Sequence, residues 1–203
     1  MKRTILMLLF FASFIPIKAQ RQTGVLAHIF ISDVYVGANV GPNAFLADGF
    51  SEYGFKDCYG ISESLFIGYN LTKDLGVRMV ASFSNLNWPG IKSRKIPAKN
   101  FHTKAMNVET IYNLSTTFDD FNLNRPLDFS MIAGVGFISR EKTTNNNEYL
   151  SFFIKGGFQL DYRLNYKWDL SVQTNFNMLD ERFNVEKFGR PFDLIPELKV
   201  GLT

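Results

Sequence analysis

LFIGYNLTKDLGVRMVASF, Leu65 to Phe83, is a pair of alternating runs folded about three polar residues. One parity carries Leu65, Ile67, Tyr69 and Leu71, then Leu75, Val77, Met79, Ala81 and Phe83; the other carries Gly68, Asn70, Gly76, Arg78 and Ser82. Period-2 alternation marks β-strands with two unlike faces. The turn Thr72, Lys73, Asp74 has an odd length, so pairing Leu71 with Leu75 keeps apolar opposite apolar. Such a hairpin suits a soluble sheet with its apolar face on a core. It equally suits a membrane barrel with that face on lipid.

The rest of the chain decides between them. Val34, Val36, Ala38 and Val40 alternate with Tyr35, Gly37, Asn39 and Gly41 in the segment 33–41. The first arm of the hairpin itself begins at Tyr59, further alternating stretches run from Met106, Leu127, Phe152 and Trp168, and a last one is DLIPELKVGLT, Asp193 to Thr203. With the hairpin they make eight strands of roughly ten residues, the length and even count of a minimal spanning barrel. Two connections are tight, Thr72–Asp74 and Asn165–Lys167, and a third is Ser115–Pro126. The long ones are Ala44–Asp57, Pro89–Lys104, Arg140–Glu148 and Leu179–Asp193. Aromatic residues gather at both ends of the strands: Tyr69, Tyr112, Phe129, Tyr162 and Trp168 by the short turns, Tyr59, Trp88, Phe137, Tyr149 and Phe176 by the long loops. Two girdles are what two membrane interfaces demand. The expected fold is therefore all-β, an eight-stranded antiparallel transmembrane β-barrel with short periplasmic turns and long extracellular loops.

The N-terminus agrees with export. Lys2 and Arg3 precede the apolar run Ile5–Ile15, and Ala19 offers a small residue for cleavage before Gln20. The run is too short to span a bilayer and reads as a signal peptide over 1–19, with the barrel domain at 20–203. Removing it takes Lys2, Arg3 and Lys18 from the 22 basic residues and leaves 19 against 19 acidic, so the basicity says nothing of nucleic acid. Cys58 is the single thiol and is expected as an inert strand residue. The fold of 20–31 is not legible, because VLAHIFI does not alternate cleanly.

Interior parity places Arg78, Glu109, Asp128, Lys155, Asp161, Arg163, Asp169, Glu197 and Lys199 inside the barrel. Buried charges without partners are costly, so these should form a network, with Arg163 opposite Asp169 across the tight turn. An eight-stranded barrel is filled by its own side chains, whereas aqueous channels need roughly 16 strands, so a plugged core is expected rather than a pore. Glu63 interrupts an apolar face and belongs at the outer interface or beside a bulge. Pro196 lacks the N–H that a closed sheet needs, so a bulge or a break in pairing is expected there. Lys92, Arg94, Lys95, Lys99 and Lys104 form a basic stretch without an acidic residue, suited to lipopolysaccharide phosphates.

Catalysis finds little support. A deacylase-type site needs a His and a Ser two residues apart on a strand, and neither His28 nor His102 has that spacing. Two distant His and one Cys make a poor metal set, and no cofactor is implied.

The signal ending IKAQ, the first strand VYVGANVGP, the hairpin LFIGYNLTKDLGVRMVASF and the closing DLIPELKVGLT together resemble the small outer-membrane β-barrels of Bacteroidota, OmpA/OmpX-like in form and often labelled PorT-like. The resemblance covers the whole mature chain and implies an outer-membrane location. Some relatives are associated with type IX secretion. Such barrels usually end on an aromatic that the insertion machinery recognises; this chain ends on Thr203, implying a weaker signal or a longer natural chain. The function expected is a non-enzymatic structural element or accessory subunit of a larger envelope complex. Its partners would be outer-membrane lipid, lipopolysaccharide and envelope proteins. The alternatives are a surface module binding lipopolysaccharide or a host ligand through its loops, and a lipid-modifying enzyme.

Overall fold

The computed structural model describes residues 34–47, 52, 55–118, 126–141, 148–165, 167–180, 183 and 192–203. The signal segment and residues 20–31 lie outside them. Eight antiparallel strands close in sequence order: β1 (Val34–Ala44), β2 (Tyr59–Asn70), β3 (Leu75–Trp88), β4 (Lys99–Asn113), β5 (Leu127–Arg140), β6 (Tyr149–Arg163), β7 (Asp169–Asp180) and β8 (Phe192–Leu202). A short helix α1 (Leu114–Phe118) opens the connection after β4.

The two tight turns are built alike. Leu71 and Thr72 donate to the Leu75 carbonyl, and Leu164 and Asn165 donate to that of Trp168. A side-chain oxygen braces each turn: Thr72 Oγ1 accepts from Asp74 N and Leu75 N at 3.3 and 3.0 Å, and Asn165 Oδ1 accepts from Lys167 N and Trp168 N at 2.8 and 3.1 Å. Short polar side chains bonding their own backbone are what make such turns tight.

A row of paired residues shows how the barrel winds. From Val34 it passes through Tyr69, Val77, Thr110, Ala133, Gly156, Phe176 and Pro196. The register Asn43↔Glu197 sets Pro196 beside Ala44, so one circuit climbs ten residues along β1. A shear of this size tilts the strands by about 40° and leaves an interior just wide enough for side chains.

The outward face is apolar: Val36, Met106 and Ile154 are 58, 61 and 56% exposed, and Ile61, Met79, Val135, Phe158 and Val200 share that face. In water each such side chain would forfeit about 1.5–3 kcal/mol of burial. Closure also leaves no strand edge, the condition for a sheet in lipid. Glu63 lies on this face in an unbroken ladder between Val40 and Phe83, without a bulge. Phe83 is the last apolar outward residue of β3, so Glu63 stands at the edge of the apolar band.

Above that edge the two faces exchange chemistry. On β3 and β4, Asn85, Asn87, Asn100, His102 and Lys104 point outward, while Leu86, Trp88 and Phe101 point inward and are 1–2% exposed. The inner cluster adds Phe45, Ala47, Ile91, Ile138, Phe153, Leu179, Phe183 and Ile195, and so caps the loop end of the barrel with an apolar core. Its aromatic rings meet edge to face, with Phe45 at 6.2 Å from Phe101 and 6.0 Å from Phe183.

Three expectations are corrected. Trp88 is not a girdle residue but part of the cap, 1% exposed. Lys99 and Lys104 lie on β4 rather than in the preceding loop, because strand pairing continues where the outer face turns polar. Cys58 ends a 3-10 turn, Phe55–Cys58, instead of lying in a strand. At Pro196 the expected break in pairing is present on the β1 side, where Ala44 and Pro196 do not pair, while the ladder to β7 continues through Phe176 without a bulge.

The cap dictates loop-end stability. Trp88→Ala should lower the unfolding free energy by about 3–5 kcal/mol, through lost burial and a cavity, in a urea titration of the micelle-bound barrel.

Candidate functional site

The barrel interior holds three tiers. At mid-height Arg78 on β3 stands directly across from Glu109 on β4, with Arg78 Nε donating to Glu109 Oε2 at 2.5 Å. Lys155, two strands further, donates to Glu109 Oε1 at 2.6 Å. It reaches over β5 because the residue between them in the row is Gly134. A Cβ there would stand 2.9 Å from Glu109 Cγ. Asn107 adds a third donor at 2.6 Å, so one carboxylate holds two cations and an amide. All three charges are almost fully buried, at 2, 0 and 4% exposed for Arg78, Glu109 and Lys155.

Groups that parity alone did not single out complete the tier. Arg78 Nη1 donates to Gln159 Oε1 at 3.0 Å, and its guanidinium lies 4.9 Å over the Phe66 ring. With its amide oxygen turned toward Arg78, Gln173 accepts from Nη1 and Nη2 at 2.9 and 2.8 Å. Their inward parity was a readable signal, but uncharged amides and Phe66 carry none of the cost that marks a buried charge. Beside this tier Lys199 donates to Glu197 at 3.0 Å, two positions apart on one face of β8.

The rim tier lies by the short turns. Arg163 stands opposite Asp169 in the β6–β7 register, with Nε 3.8 Å from Oδ1, and its Nη2 is 3.5 Å from Asp128 Oδ2. Both Asp161 oxygens accept from Gln159 Nε2, at 2.7 and 2.8 Å. A cavity of about 410 Å³ opens here, lined by Tyr35, Asn70, Asn113, Asp128, Asp161 and Arg163 among others. Between the charge tier and the apolar cap lies a cavity of about 20 Å³, room for about one water. Among the described residues the rim cavity is therefore blind, floored by charge pairs and sealed above by the cap.

At the loop end, Ile91 and Ile96 exchange backbone bonds at 3.1 and 3.0 Å and present Lys92, Arg94 and Lys95 on a hairpin tip. Lys95 takes φ 58°, the left-handed conformation that closes so tight a turn. Ser93 ties this tip to the preceding loop, its N–H donating to Glu52 Oε2 at 3.0 Å and its hydroxyl to Oε1. These bonds hold the Glu52 carboxyl below its ordinary value. Lys99 lies 5.3 Å over the Trp88 ring, and Lys104 pairs with Glu141 at 2.7 Å on the exposed outer face. Arg140 donates to the Phe183 carbonyl and sits 5.2 Å over Phe101, fastening the cap.

Of the aromatic residues, Tyr59, Tyr112, Phe129, Phe137, Tyr162, Trp168 and Phe176 point outward and are exposed, Tyr69 is outward and half-buried, and Tyr149 lies 5.7 Å from Arg140. His102 Nδ1 is 2.6 Å from Asn85 Oδ1, an outward amide rather than a nucleophile. Burial raises the Cys58 thiol above its ordinary value and keeps it protonated. Among the described residues no three His, Cys, Asp or Glu gather to hold a metal.

The architecture has solved counterparts. Neisserial surface protein A aligns over 83% of this chain and 94% of its own, with TM-score 0.55 and 15% identity. The attachment invasion locus protein Ail of Yersinia pestis aligns over 84 and 95%, with TM-score 0.45 and 12% identity. The N-terminal β-barrel domain of Pseudomonas aeruginosa OprF aligns over 82 and 96%, with TM-score 0.43 and 11% identity. The likeness to the Neisserial protein shows the fold: a closed eight-stranded antiparallel barrel of the outer-membrane type. No protein-family model and no curated protein matches the sequence.

Two outcomes follow from this geometry. Glu109→Gln leaves Arg78 and Lys155 as buried cations without their carboxylate, and should cost about 3–5 kcal/mol in urea unfolding. Because the Glu52 carboxyl is lowered in the folded state, its contribution to holding the two loops is whole above its ordinary value of 4.5 and is lost as pH falls through the lowered value. Ser93→Ala removes the largest of the lowering contacts and should raise the Glu52 titration, followed by carboxyl NMR, toward the ordinary range, while the residue-93 N–H keeps it below that range.

Proposed function

We propose that this protein is a non-enzymatic barrel of the bacterial outer membrane, exported by the signal segment 1–19, and that it serves as a structural element or accessory subunit of a larger envelope complex. The observation that carries this reading is the filled interior. The Arg78–Glu109–Lys155 tier and the apolar cap leave a blind cavity instead of a conduit, so the protein offers walls and loops as its working surfaces. The resemblance of its sequence to the small Bacteroidota barrels, PorT-like ones among them, supports an envelope-complex setting.

A second reading is favoured by one feature, the basic hairpin tip. Lys92, Arg94 and Lys95 sit together on a turn braced by Glu52, a placement suited to the phosphates of lipopolysaccharide or of a host ligand. Gentle detergent extraction with affinity purification separates the two. Stoichiometric protein partners, with no conductance from the pure barrel in planar bilayers, are expected. A solitary barrel that retains lipopolysaccharide, and loses it in Lys92→Ala, Arg94→Ala, Lys95→Ala, would replace the first reading with the second. A reproducible single-channel conductance would sink both the closed interior and the role built on it.

A further inference from the structure

Among the described residues each ladder runs without a gap between its end pairs, except along one line. β1 pairs β2, and β7 pairs β8, through eleven consecutive residues each. β1 and β8 instead bridge at Ala38↔Leu202, Asn39↔Gly201 and Val40↔Val200, then at Asn43↔Glu197, with a lone bridge Leu46↔Leu194 beyond. The register never changes, so the gaps are not bulges. Two prolines account for them.

Leu46 and Leu194 exchange both backbone bonds, at 2.8 and 3.2 Å. In an antiparallel ladder the residues that bond across one seam recur at every second position. The seam-facing residues are therefore Val40, Pro42 and Ala44 on β1, and Pro196, Leu198 and Val200 on β8. Pro42 stands opposite Leu198, and Ala44 opposite Pro196, so two successive rungs each lack one of their two bonds. Gly41 accommodates the result: a Cβ there would collide with the Leu198 carbonyl oxygen, the acceptor that Pro42 cannot serve.

The inner side of the same line carries a second anomaly. Asn43, Glu197 and Asn175 lie in one row across β1, β8 and β7. Asn43 is 2% and Asn175 0% exposed, and among the described residues neither carboxamide has a partner for its nitrogen or its oxygen. A buried amide left so costs about 1–3 kcal/mol, a cost that a hydrogen-bonding guest removes. Weak rungs and unpartnered amides thus coincide on one stretch of wall.

We propose that the β1–β8 seam is a lateral gate: Gly41–Ala44 parts locally from Pro196–Lys199 while the rest of the barrel stays paired, and the opening admits water to Asn43 and Asn175. The gate is independent of any protein partner, so it stands or falls apart from the accessory-subunit reading. Its energetic basis is local: two rungs short of bonds need less free energy to open than any intact ladder around the circumference.

Amide hydrogen exchange, read by NMR on the refolded protein in lipid nanodiscs, tests it. The seam amides of Ala44 and Leu198 should exchange about 100-fold faster than those of Val80 and Asn107, which bond across β3–β4. Pro42→Val with Pro196→Val restores both donors and should bring the seam within about tenfold of that reference. Seam amides as slow as the reference overturn the gate, and so does fast exchange that persists in the folded double variant. If the double variant does not refold, Val40→Cys with Val200→Cys in a Cys58→Ser background takes its place. Oxidising that cross-seam pair must slow the same amides at least about tenfold, and unchanged exchange overturns the proposal.

Discussion

Backbone hydrogen bonding without an edge is the constraint on which everything else in this protein depends. In hydrocarbon no water satisfies a strand edge, so the sheet must close on itself. Closure with a climb of ten residues sets the strand tilt and the narrow bore, and the bore leaves room for one layer of inward side chains. The rows fixed by closure also decide which side chains meet. Glu109, Gly134 and Lys155 share a row, and the missing side chain in the middle lets a lysine reach a carboxylate two strands away.

The second organising feature is the exchange of faces near the loop end. Within the apolar band the barrel is inside out, with Arg78 and Glu109 within and Met79 and Val108 without. Beyond Phe83 and Met106 the β3–β4 wall is ordered as in a water-soluble barrel, with Trp88 and Phe101 in the core and Asn100 and His102 on the surface. On β3 and β4 the chain thus satisfies two solvents by shifting its apolar parity once, whereas β2, β6 and β8 stay apolar outward at Ile61, Leu150 and Phe192. The shift on β3 is written as FSNLNW, Phe83 to Trp88, where the apolar spacing slips from odd to even positions. Read as a strand ending at Phe83, the same letters put Trp88 in an interfacial girdle. Read as a strand crossing out of the membrane, they put it in a core.

Much of the rest was legible because period 2 is a strong signal when both faces are chemically distinct. The eight strands, the tight turns at Thr72–Asp74 and Asn165–Lys167, and the inward charges all follow from parity. The bonding partners among those charges do not. Arg163 and Asp169 were readable as opposite because a three-residue turn sets their register locally. Glu109 and Lys155 lie 46 residues apart, and which row joins them depends on the registers of two ladders. Gln159 and Gln173 were hidden for a different reason: an amide carries no charge to force a partner on it.

By itself the sequence determined the class of fold and which face of each strand sees lipid, since hydrophobic alternation and turn length are local properties of the chain. Only the tertiary structure decided the shear, the rows it brings together, the apolar cap over the charge tier, and the placement of Pro42 and Pro196 on successive rungs of one seam. Those are consequences of closure, in which residues distant in the chain become neighbours because the backbone has nowhere else to bond.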